Sequence, residues 1–200
     1  MEGPSRPPPD FVAAAFHWLE YLGLLVAIGS LVVRRLAGLK PRIEWAEPPL
    51  AVTIAGALAG LIGLVATWPP RSILIGGVHV LSAGMWAGGI LVMAFLRPPG
   101  GWNGTETRLL IERFARVALI AFVVTAFTGV IQATDRLHDV TDLWTTAYGL
   151  TLSVKVVWVA VMGALSLAWR RGLPVARLDA AAAIVVVTVT ALLAAIPGRA

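Results

Sequence analysis

Six long apolar stretches fill most of this chain, at about residues 11–33, 50–68, 73–96, 117–132, 147–169 and 180–197. Each is near the ~20 residues a helix needs to cross the hydrocarbon core of a bilayer. They are continuously apolar and do not alternate with polar residues, which excludes a membrane β-barrel. The expected fold is therefore all-α and polytopic, with six transmembrane helices. The fourth stretch is the shortest, and the amphipathic run before it (Leu109, Leu110, Phe114) extends it along the interface.

The charges between the stretches alternate. Counting Lys and Arg along the chain gives one before the first stretch, then four, one, four, one and three, and one after the last. The rich loops carry Arg34, Arg35, Lys40 and Arg42, then Arg97, Arg108, Arg113 and Arg116, then Arg170, Arg171 and Arg177. Short loops rich in Lys and Arg stay cytoplasmic, which places both termini outside the cytoplasm. Arg6 is the only basic residue of the N-terminal tail, and no small-residue cleavage site follows the first apolar run. That run is expected to stay in the membrane rather than act as a signal peptide. The net charge of +5 is then that of the positive-inside residues of a small membrane protein and not of a nucleic-acid binder. No cysteine is present, so thiolate metal sites and disulfides are excluded.

The Pro-rich residues 1–10 read as a mobile outer tail, and 11–198 as one six-helix domain with no separable second unit. Pro48–Pro49 opens the second helix and Pro69–Pro70 ends it. The loop 97–108, with its prolines and glycines, is the expected flexible region. Gly56 and Gly60 are spaced for close helix packing, either within the fold or between two copies of the chain. The last stretch carries only Thr188 and Thr190 after Asp179 and reads as a packing or lipid-facing element.

Ionisable groups at membrane depth cost at least ~2.5–3.5 kcal/mol each and need a reason. His17 and Glu20 share one face of the first helix, and His79 lies about two turns into the third. Thr125, Thr128 and Gln132 follow an i, i+3, i+7 spacing on the fourth, and Lys155 lies about two turns into the fifth. These depths match on the outer side, which predicts an outward-opening polar cavity among helices one, three, four and five. Two heptad stripes run nearby, His79–Trp86–Met93 and Tyr148–Lys155–Met162; Trp86 and Met93 are more simply read as packing. Lys155 either pairs with Glu20 or takes part in substrate or proton chemistry. Asp135, His138, Asp139 and Asp142 form an acidic outer loop that either is merely solvated or attracts cations at the entrance.

Two imidazoles from different helices admit two chemistries. They suit a copper ion, with Met85, Met93 or Met162 as softer thioether ligands. They also suit axial ligation of haem b in a membrane redox protein. No hydrolytic or phosphoryl-transfer motif is present.

Four ordered segments resemble the copper resistance protein D (CopD) family. They are HVLSAGMWAGGILVM (79–93), RFARVALIAFVVTAFTGVIQA (113–133), YGLTLSVKVVWVAVMGALSLAWRR (148–171) and LDAAAAIVVVTVTALLAAIPG (178–198). The resemblance covers about residues 72–198 well, with Ala115 and Asp179 standing where the family usually has Ser and Glu. It implies an inner-membrane copper-handling protein that imports copper from the periplasmic side, with a periplasmic copper-binding protein as a frequent partner. On this expectation the chain is a transporter and not an enzyme, with His17 and His79 as copper ligands. Glu20, Lys155, Trp86, Met85, Met93, Met162, Thr128 and Gln132 would support them. The rival readings are the haem b redox module and a non-transporting anchor for the copper-binding partner.

Overall fold

The computed structural model describes residues 10–67, 73–137 and 139–196. Most of the expected N-terminal tail, the Pro69–Pro70 stop and His138 lie outside these residues. Among them the chain is all-helical: α1 (Phe11–Ala37), α2 (Leu50–Ala66), α3 (Ile73–Ala83), a π-helical turn (Gly84–Gly88), α4 (Gly89–Phe95), α5 (Thr105–Thr134), α6 (Asp142–Thr145), α7 (Ala147–Arg170) and α8 (Ala176–Ala195). A short 3-10 turn (Glu44–Ala46) precedes α2. Six of the resulting helical segments are long and apolar enough to cross a membrane, as the sequence predicts.

Local chemistry sets the ends. The Asp10 carboxylate accepts from the backbone N–H groups of Val12 and Ala13 at 2.9 and 3.0 Å, starting α1. Arg34 and Arg35 lie in its last turn, where positive charge offsets the helix dipole. The amphipathic run and the fourth apolar stretch form one helix of 30 residues, about 45 Å long at ~1.5 Å per residue.

The bundle is built around α1, which packs against α2, the π turn, α4 and α8. Small residues make this approach close. Gly56, Gly60 and Gly63 are buried against α1, where added Cβ atoms would meet Ala27 N, Leu24 and the Glu20 backbone. The Gly56/Gly60 face is therefore packed within the chain, the first of the two readings of that spacing. The buried Ser30 and Thr53 hydroxyls lie 2.7 Å apart across the same interface. α8 is a packing element: Ala180, Ala182, Ala183, Val187 and Ala191 are all buried.

The third apolar stretch is not a uniform α-helix. A π turn closes i→i+5 bonds and so carries an extra residue. It falls within the expected His79–Trp86–Met93 stripe. Trp86 and Met93 lie in the core, with the Trp86 ring edge-on to Phe122 of α5 at 4.8 Å, and His79 also meets α5, at Thr128. Met162 is also core, and Met85 packs against it.

At the opposite end from His17, α5 is tied to the loop after α1. The Arg113 guanidinium donates to the carbonyls of Leu36 and Leu39 (3.0 and 3.2 Å) and of Lys40 and Pro41 (both 3.1 Å). Trp45 donates to Glu106 at 2.7 Å beside it. The two loops richest in basic residues thus meet at one end of the bundle, in keeping with the alternation of charge.

Candidate functional site

The polar residues within the apolar spans fall into two groups, each organised around a histidine. The first is built on α1. His17 and Glu20 are one turn apart, and His17 Nδ1 lies 3.1 Å from Glu20 Oε2. Their side chains are 20% and 11% exposed, so water screens the pair little. Thr67, just past the end of α2, donates its hydroxyl to the same carboxylate oxygen at 3.0 Å. The Tyr21 ring stacks on His17 with centroids 5.7 Å apart. A carboxylate only accepts, so both His17 Nδ1–H and the Thr67 hydroxyl donate to it.

The second group joins α3 and α5. His79 Nδ1 lies 2.9 Å from Thr128 Oγ1. The Thr128 hydroxyl donates to the Val124 carbonyl at 2.8 Å, which leaves its oxygen to accept from His79 Nδ1–H. Gly129 gives the ring its seat: a Cβ there would sit 3.4 Å from His79 Cε1. One turn deeper, Thr125 donates to Ser82 at 2.8 Å, linking the same two helices. One turn outward, the Gln132 amide nitrogen is buried without a hydrogen-bond partner.

The consequence for both histidines is the same. With the hydrogen on Nδ1, each imidazole turns it toward a fixed oxygen and leaves the Nε2 lone pair available. Among the described residues neither Nε2 has a hydrogen-bond partner. This is the arrangement of a metal-binding imidazole, whose outer N–H is normally held by a carboxylate or another oxygen. No hydrogen bond, ion pair or ring contact joins His17 to His79 among these residues.

Lys155 is half-buried on α7, within Coulombic reach of His79. The expected pairing with Glu20 is not made. Glu20 is engaged by His17 and Thr67, and the ion pairs among the described residues are His17–Glu20 and Arg42–Glu47. Lys155 has no hydrogen bond or ion pair there. The loop after α5 uses the carboxylates of Asp139 and Asp142 locally. Asp139 accepts from the Thr141 backbone at 2.9 Å, Asp142 accepts from the Asp139 backbone at 3.3 Å, and Asp135 ends α5. Among the described residues no group of three or more His, Asp or Glu side chains is placed to hold a metal ion.

Sequence reasoning found both histidines, Glu20, Thr128 and Gln132. It missed Thr67, which reads as a helix-end residue, and Ser82, although Ser82 stands one turn from His79 on the same face.

The fold and these polar groups define a multi-pass α-helical membrane protein with hydrogen-bonded histidines inside its spans. Residues 108–196 match the family model described as Copper resistance protein D. It is also 34% identical over 101 residues to Copper transport protein CutJ of Bacillus subtilis (strain 168), an alignment covering 46% of this chain and 18% of that protein. The chain thus spans under a fifth of that relative's length. No solved structure matches the chain.

Proposed function

We propose that this chain is a copper-handling membrane transporter, and not an enzyme, that takes copper from the outer side at His17 and His79 and passes it inward. The observation that carries this reading is the shared state of the two imidazoles, each with Nδ1–H held by a fixed oxygen and Nε2 open. The similarity to a protein named for copper transport supports the choice of metal. The polar groups sit toward the outer end if the basic loops are cytoplasmic, which puts both termini outside. Gln132, with its unpartnered amide, and the acidic loop with Asp135, Asp139 and Asp142 (and His138) form the approach. Lys155 sets the electrostatic threshold. A cation near His79 is repelled by its ammonium, so the negative charge of Glu20 is needed to lower the cost of entry. The loaded surface of the outer loop is a docking site for a periplasmic copper-binding protein.

This reading makes the hydrogen-bond partners of the histidines as telling as the histidines themselves. Glu20→Gln and Thr128→Val should each weaken copper binding by about tenfold or more, as loss of such partners does elsewhere. Isothermal titration of the purified protein with Cu(I) under a competing chelator measures it. Wild-type affinity in both variants would remove the basis for assigning copper to these residues.

A further inference from the structure

We infer that an open groove at the inner end of α1 binds the phosphate headgroup of an anionic phospholipid. The groove has a volume of about 400 Å³ and is lined by Leu31, Arg34, Arg35, Gly38, Arg42 and Glu47. Three guanidiniums and one carboxylate line it, a net of +2 from three minus one. The positive charge is only partly spent. Arg34 donates one bond to the Pro48 carbonyl at 3.1 Å, and Arg42 donates one to Glu47 at 2.7 Å. Arg35 has no hydrogen bond or ion pair among the described residues. Each guanidinium has five N–H donors in a fork that matches phosphate oxygens, so most of the donors facing this groove are still available.

The position selects a lipid over a free anion. Arg34 and Arg35 end the apolar span of α1, which puts them at headgroup level. Leu31, one turn deeper, is 53% exposed and forms the apolar side of the same groove, where an acyl chain would begin. Basic pockets at this level are established headgroup sites in membrane proteins. The carbonyl end of α1 would by itself repel a phosphate. Here the Arg113 guanidinium, bonded to the Leu36 carbonyl in the last turn and to those of Leu39, Lys40 and Pro41 beyond it, offsets that repulsion. Glu47 is the one opposing charge. Its hydrogen bond raises the Arg42 pKa further, so Arg42 stays cationic at any pH of interest. This inference does not depend on copper.

Native mass spectrometry of the full chain, released from detergent with phosphatidylglycerol or phosphatidylcholine of the same acyl chains, tests it. Phosphatidylglycerol should be retained in preference to phosphatidylcholine. Arg35→Gln/Arg42→Gln should lower its retention by about tenfold or more, and Glu47→Gln should raise it. The opposite sign of the Glu47 variant keeps the test decisive should the arginine variant fold poorly. Equal retention of the two lipids, or no change in either variant, would overturn the proposal. Displacement of phosphatidylglycerol by inorganic phosphate would also overturn it, by marking a site for free anions.

Discussion

Gly88→Ala should prevent the bundle from assembling stably, although it adds a single methyl group. A Cβ at this position would overlap the Leu25 carbonyl oxygen and lie 2.7 Å from its carbon. The obstruction is the backbone of the central helix, which cannot rotate aside as a side chain can. Overfilling a packed site costs about 1–3 kcal/mol and sometimes more. With backbone on both sides of the contact, about 3 kcal/mol or more is expected here. Gly76→Ala and Gly77→Ala are the matched controls on the same span, since a Cβ at either meets nothing within 4 Å. They should be neutral or stabilising by about 0.5–1 kcal/mol, because alanine gives up less backbone entropy than glycine. Thermal unfolding in mild detergent separates the cases. A Gly88→Ala melting temperature equal to that of the controls would refute the close approach of α1 to the π turn.

Arg113→Ala should have the second large effect. One guanidinium donates to four carbonyls, that of Leu36 in the last turn of α1 and those of Leu39, Lys40 and Pro41 in the loop after it. Hydrogen bonds to charged groups contribute about 1.5–3 kcal/mol each, less where water competes. Three of these four are exposed, so a total loss of about 3 kcal/mol is expected. Arg113→Lys should recover only part of it, since a compact ammonium cannot span four acceptors as a planar fork does. Unfolding temperature, together with protease cleavage between residues 38 and 47, measures both variants. An unfolding temperature within a degree of wild type for Arg113→Ala would show that the loop is held by other contacts.

The spans were legible because hydrophobicity is a property of composition along the chain. Arg113 shows the limit of that reading. It counts as one basic residue among four in its loop, and nothing in its neighbours says that it reaches across to α1. The Gly56/Gly60 spacing announced a close contact but not its partner, because a helix face does not encode which helix covers it. Trp86 and Met93 were correctly read as packing. The π turn at Gly84–Gly88 was not legible, because the hydrophobic pattern does not mark a change of helical period. The Glu20–Lys155 pairing failed for a different reason. Opposite charges at equal depth were assumed to meet, whereas Glu20 had nearer donors in His17 and in Thr67 from the end of α2. The angular order of helices around the bundle is not readable from sequence. His17, Glu20, His79 and Thr128 were found because each is a polar group in an apolar run. What makes them chemically suggestive, the fixed Nδ1–H and open Nε2, required the packing of α1 on α2 and of α3 on α5.

The central claim is that copper enters through His17 and His79. The direct test is the initial rate of copper uptake into cells lacking other copper importers, comparing wild type with His17→Ala/His79→Ala at equal membrane abundance. Uptake conferred by the wild-type chain and lost in the double variant is the predicted result. If neither protein changes uptake, the importer reading is contradicted, and the same purified pair should then be examined for a Soret band from haem b.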